Sequence, residues 1–196
     1  MGMNGYRGRL CRRDGHISMQ TLKLKDNHTW KCRPGWCICV LDRGLVRFDY
    51  PAHWILEPDE DSGTIHLHDR KPSLESCDLG VSIYRIPMKA IQAMRMEELL
   101  LQSLQERVGT CQQSAVERVP REDIELIWVE QRYIDKDHNR DARFRVALAR
   151  GETLCLISMN YWADRAPSLE PIWDEVMRTL RMGLLVTDPT AGPVLQ

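Results

Sequence analysis

Residues 144–180 read FRVALARGETLCLISMNYWADRAPSLEPIWDEVMRTL, and this stretch decides the fold. Phe144–Leu148 and Leu154–Met159 are apolar-rich segments of strand length, and Arg150-Gly151-Glu152 between them supplies a turn. The period then changes. Leu169, Ile172, Trp173, Val176, Met177 and Leu180 recur at steps of three and four, which places them on one stripe of a helix. Ser168 is positioned to cap that helix, Glu170 suits its positive end, and Gly183 is positioned to close it. Asp174, Glu175, Arg178 and Arg181 fall on the opposite face. A helix with a single apolar stripe must cover a layer, and the strands before it supply a sheet.

Working outward, Ile124–Val129 forms a further strand that runs toward Tyr133, and the polar run Asp135–Asp141 connects it to Phe144. Successive strands joined in this way read as an antiparallel meander. Upstream, Met96, Leu99, Leu100, Leu104 and Val108 mark a second amphipathic helix, with Gly109 to end it. Earlier still, Leu79, Val81 and Ile83 alternate with polar or small residues, and Ile65 and Leu67 alternate with His66 and His68. Trp36–Val40 and Leu45–Phe48 flank Asp42-Arg43-Gly44, a tight-turn composition, and Pro51 closes the second of these strands. The reading is an α+β domain over residues 29–183, with an antiparallel sheet flanked by two main helices. Residues 1–28 are read as a flexible basic arm and residues 184–196 as a loosely attached tail; a start at Met19 is the alternative to the first part of the arm.

The chain has 196 residues and a formal net charge of −1, with 43% hydrophobic residues. That balance argues against wholesale nucleic-acid binding. The near-neutrality is a cancellation, because residues 1–34 carry eight basic and two acidic residues while residues 35–80 carry four and nine. No apolar run approaches the roughly 20 residues of a membrane span, and the first thirty residues lack the apolar stretch of a signal peptide. With seven cysteines, an odd number, the chain is read as a cytoplasmic protein with free thiols.

The segment Phe48-Asp49-Tyr50-Pro51-Ala52-His53-Trp54 follows an early strand, and Trp173, Val176 and Leu180 sit on the terminal helix after a long strand pair. In these features the chain resembles the PsbP/DcrB-like superfamily, which also includes the Ran-binding Mog-type proteins. The resemblance covers about residues 30–183 and rests on an aromatic-x-aromatic-Pro-x-x-Trp motif carried by Phe48, Tyr50, Pro51 and Trp54. It implies an antiparallel sheet flanked by helices, in accessory or binding factors that are mostly without catalysis. Read physically, Pro51 fixes the strand exit, and Trp54 folds its ring over the sheet end with its N–H on a carbonyl.

Three constellations bear on chemistry. Cys32, Cys37 and Cys39 lie close in sequence, and His66 and His68 share a strand face, but the cysteine spacing is not that of a zinc finger or ribbon. No metal or cofactor is assigned on that basis. No Gly-x-Ser-x-Gly elbow, phosphate loop or dinucleotide turn is present, so the residues point away from an enzyme. There are six tryptophans against two phenylalanines, and Trp30, Trp36 and Trp54 gather toward the early hairpin with Arg33 and Arg43. An aromatic and arginine edge of that kind suits a protein partner. Arg143 and Arg145 share a face with Ala147 and are read as facing solvent. The functional expectation is a non-catalytic cytoplasmic accessory or adaptor protein binding another protein, with homo-oligomer formation open and neither membrane nor nucleic acid as a partner. The alternative is a small-molecule-binding protein, or an enzyme without a recognisable motif, using a pocket between sheet and helix.

Overall fold

The computed structural model describes residues 5–7, 11–13, 16–18, 20–73, 75–104 and 111–193. Parts of the arm, and Val108 and Gly109 at the end of the upstream helix, lie outside the described residues. In chain order the elements are β1 (Gly5–Arg7), β2 (Cys11–Arg13), β3 (His16–Ser18), β4 (Thr21–Lys23), β5 (Trp36–Leu41), β6 (Val46–Pro51), β7 (Ile55–Pro58), β8 (Ile65–His68) and β9 (Asp78–Tyr84). There follow α1 (Met88–Ala93), α2 (Met96–Gln102), β10 (Cys111–Gln113), β11 (Glu117–Val119), β12 (Glu125–Asp135), β13 (Arg140–Arg150), β14 (Leu154–Trp162), α3 (Ala166–Thr179) and β15 (Arg181–Met182).

The expected meander is the centre of a large antiparallel sheet ordered β10-β12-β13-β14-β9-β8-β7, with β11 also paired to β12. Both faces of its middle strands are covered. Leu126, Ala147, Ala149, Cys155 and Ile157 face the core shared with α3, while Ile127, Val129, Val146, Leu148 and Leu154 pack against Met96, Leu100 and Leu104 on and just after α2. Burial on both sides explains why β13 reads Val146-Ala147-Leu148-Ala149 without polar alternation. Among the described residues no helix is long and apolar enough to cross a membrane.

α3 begins at Ala166, two residues before the expected cap, after a 3-10 turn at Ala163–Arg165. Ser168 therefore lies inside the first turn, where its hydroxyl donates to the Arg165 carbonyl at 2.9 Å. Leu169, Trp173, Val176, Met177 and Leu180 enter the core as their spacing requires. Gly183 does not close the helix. Leu180 is already extended, β15 pairs with β6, and Gly183 (φ +71°) turns the chain beyond that strand.

The early hairpin forms a second sheet, β15-β6-β5. Its turn places Asp42, Arg43 and Gly44 at φ of 47°, 59° and 106°. Gly44 is required on two counts: its φ is left-handed, and a Cβ there would lie 2.2 Å from the Leu184 carbonyl oxygen. Cys37, Cys39, Leu41, Phe48 and Tyr50 face the main core, whereas Ile38 and Val40 face outward and are covered by Trp30, Val186, Leu22 and Leu24.

That outer cover comes from the two segments read as peripheral. The backbone N–H groups of Lys25 and Thr29 donate to the carbonyls of Thr190 and Ala191, and the Trp30 indole donates to the Pro189 carbonyl at 2.8 Å. The stretch after Gly183 thus differs from the expected loose tail, because the small sheet has an apolar outer face that these residues bury. The arm, too, carries short antiparallel pairs, β1 with β4 and β2 with β3.

Candidate functional site

The hairpin strand β6 carries Arg47 and Asp49 on one face, and both are buried. Their side chains pair at 2.6 Å. The Arg47 guanidinium also donates to the Thr179 carbonyl at the end of α3 and to the Lys31 carbonyl, each at 3.0 Å. A cation at the C-terminal end of a helix meets otherwise orphaned carbonyls and the negative end of the dipole. Arg47 thereby ties the small sheet to α3 and to the loop before β5. Burial pushes the Asp49 carboxyl above the usual carboxylate range, against the opposing pull of Arg47.

Above this pair lies an open groove of about 590 Å3, lined among others by Trp30, Lys31, Arg33, Arg178, Arg181 and Leu184. Lys31, Arg33, Arg178 and Arg181 are exposed. Glu175 of α3 is buried behind the groove wall and forks onto Arg178 at 2.7 and 2.8 Å. The Arg178 bonds, with Arg33 at 3.7 Å, hold the Glu175 carboxyl below its ordinary range. Arg33 also stacks on the half-buried Trp36, its guanidinium carbon 3.8 Å from the ring centroid. The groove presents more cations than carboxylates, with a planar aromatic–guanidinium step beside it. Such a surface can accept carboxylates or other anionic groups.

The five residues read as a partner edge are therefore only partly brought together. Arg33 and Trp36 are in contact and accessible, and Trp30 lines the groove from a buried position. Trp54 is buried in the main core, and its indole N–H has no hydrogen-bond acceptor among the described residues, where a carbonyl was expected. Arg43 sits exposed at the hairpin tip, and β5 runs six residues from Trp36 to that end, a span of about 20 Å at strand rise. Sequence proximity misplaced it because a strand carries its two ends apart. Arg47, Arg178 and Arg181 were missed, since only the packing of α3 on β6 brings them to one place.

The metal-ligand candidates also divide. Cys37 and Cys39 are buried core residues on β5. Burial, with Asp49 beside it, pushes the Cys32 thiol up to about 12, and burial pushes Cys39 higher still, so neither supplies a thiolate at neutral pH. His66 and His68 do share a face of β8, their rings stacked 6.0 Å apart. Asp78, on the neighbouring strand β9, stands beside both. The strand register alone reveals that neighbour, because Asp78 pairs with His68 across the sheet.

Arg143 and Arg145 do not simply face solvent. Arg145 is buried, pairs with Glu130 at 2.7 Å and with Glu170 at 3.1 Å, and Arg143 pairs with Glu170. Burial works to raise the Glu130 carboxyl, but bonds from Arg132 and Arg145 hold it below its ordinary value.

The architecture is that of a PsbP-like α+β protein. It is similar to the solution structure of cyanobacterial PsbP (CyanoP) from Synechocystis sp. PCC 6803, with a TM-score of 0.54 and 13% identity over 79% of this chain and 99% of that one. LpqN of Mycobacterium tuberculosis aligns at a TM-score of 0.48 and 11% identity, over 72% of this chain and 86% of its own. The chain belongs to the Alr1449 family, whose model matches residues 37–186. A relative from Nostoc sp. (strain PCC 7120), described as uncharacterized protein alr1449, is 33% identical over 176 residues, which is 88% of this chain and 91% of that protein.

Proposed function

We propose that this protein is a non-catalytic accessory factor that binds an acidic segment of another protein in the groove between the loop before β5 and the end of α3. The observation that supports the reading is the Arg33–Trp36 stack at 3.8 Å beside exposed Lys31, Arg178 and Arg181. Stacked arginine and tryptophan are the side chains that most often carry binding energy at protein interfaces. The cation excess favours acidic partners and speeds their encounter. The raised thiols of Cys32, Cys39 and Cys155 agree with a binding role, since none offers an activated nucleophile.

The test compares proteins captured from the native cell by the parent chain and by Arg33→Glu and Trp36→Ala variants. One partner with an acidic segment, retained by the parent and lost from both variants, is expected. Identical captures by all three, together with saturable binding of a small molecule, would overturn the reading in favour of a ligand pocket.

A further inference from the structure

We propose that His66, His68 and Asp78 form a binding site for a divalent transition-metal ion of the zinc type, separate from the cationic groove. His66 and His68 are two residues apart on β8, so the pleat projects both imidazoles from one face of the sheet. The rings are nearly parallel, 5° apart. Asp78 of β9 is the cross-strand partner of His68, which brings a carboxylate alongside the same pair.

The spacing is close to what a metal needs. Asp78 Oδ1 lies 2.8 Å from His66 Nδ1 and 3.8 Å from His68 Nδ1. Metal–nitrogen and metal–oxygen bonds of about 2.0–2.1 Å in a tetrahedron give ligand–ligand edges of about 3.3–3.4 Å, and the two observed distances bracket that value. One donor atom from each of the three residues lies within 4.8 Å of the other two, and no other such group of three occurs among the described residues. Small side-chain rotations suffice to place an ion among them.

His68 supplies an independent observation. It is 9% exposed, and its buried Nδ1 makes no hydrogen bond among the described residues. Its other nitrogen, Nε2, faces the Glu57 carboxylate at 4.0 Å. At that distance Glu57 is an electrostatic neighbour and not a hydrogen-bond partner, placed where closing on the far nitrogen would support His68 as a ligand from behind. Glu57 would thus act through His68 as a positioning residue rather than as a ligand. Asp78 also lines a cavity of about 260 Å3 with Ser76, Tyr133 and Asn160, and the His66 and Asp78 side chains are 31% and 41% exposed, so the cluster is open to solvent.

The donor set selects the ion. Two imidazoles and one carboxylate suit Zn2+ and its transition-metal neighbours, whereas Ca2+ and Mg2+ take oxygen donors.

The experiment uses the full chain stripped of metal with chelator and titrated with ZnCl2, CoCl2 and MgCl2 by calorimetry, with visible absorption following Co2+. One Zn2+ per chain, a Co2+ spectrum of tetrahedral type, no Mg2+ binding and a melting temperature raised by Zn2+ are expected. His66→Ala and Asp78→Asn, both at partly exposed side chains, should remove binding while keeping the metal-free melting temperature. Glu57→Gln should weaken it by up to about tenfold, less than either ligand variant. Cys32→Ser should leave it unchanged. Zn2+ stoichiometry far below one per chain, or equal affinity in the parent and in His66→Ala and Asp78→Asn, would overturn the proposal. If His66→Ala lowers the metal-free melting temperature, His66→Gln provides the same comparison with the ring's volume largely kept.

Discussion

On the large sheet Arg132, Arg143 and Arg145 meet Glu130 and Glu170, while along the groove Arg33, Arg47 and Arg178 meet Asp49 and Glu175, with Lys31 and Arg181 beside them. Both regions are rich in arginine, yet they do different physical work. In the first, the most buried guanidinium, that of Arg145, is answered twice within the chain and lies 5.2 Å from the Trp128 ring, under the edge of α3. In the second, only Arg47 is buried, and the cations around it outnumber the carboxylates and reach solvent. Apart from the exposed Arg132, the first cluster is closed on itself and holds layers together. A cluster left with excess exposed charge is available to something else. Residue type is the same in both, so burial and balance separate structural from binding arginines.

The largest expected effect lies in the closed cluster. Glu130→Ala leaves Arg145 buried beside only the half-exposed Glu170, and breaking a buried pair in this way destabilises by about 3–5 kcal/mol. Denaturant unfolding checks it, and a change below about 1 kcal/mol would show that Glu170 alone satisfies the arginine. Asp49→Ala should cost less, about 1–3 kcal/mol, because Arg47 keeps the Thr179 and Lys31 carbonyls. If the two losses come out in reverse order, the contrast between the regions fails.

Acid titration separates the same two carboxylates by sign. Glu130 is held below its ordinary value, so its contribution is present above the unfolded value of about 4.3 and is lost as pH falls through the folded one. Asp49 is raised, so its contribution is fully present below about 3.9 and is lost as pH rises through the folded value. Relative to the parent, Glu130→Gln should therefore lose more stability at pH 7 than at pH 3, and Asp49→Asn more at pH 3 than at pH 7. Parallel curves for the two variants would contradict this assignment. The smallest stability effect is expected for Arg33→Gln in the open region, within about 1 kcal/mol, since its side chain is half exposed and Arg178 still bonds Glu175.

Much of this fold was legible in the sequence, and the reason is periodicity. The α3 stripe, the meander and the Asp42-Arg43-Gly44 turn are local patterns that local physics enforces. Features that depend on what packs opposite were not legible. Ser168 and Gly183 are plausible end signals, yet the helix ends are set by the 3-10 turn before Ala166 and by the pairing of β15 with β6. The site was legible in fragments: Arg33 with Trp36, and His66 with His68. Arg47, Arg178 and Asp78 complete those fragments from distant or cross-strand positions, and no spacing rule in one sequence reports them. Arg145 was misread because a charged residue alternating with Ala147 resembles a solvent face until Glu130 and Glu170 are seen to cover it.

The most direct test of the binding role places a photo-crosslinking amino acid at position 36, beside Arg33, and another at position 43 on the hairpin tip, in the native cell. The account predicts one dominant crosslinked protein at position 36, mapping to an acidic segment of that partner, and none of it at position 43. The same products from both positions, or no protein crosslink at position 36, would contradict it.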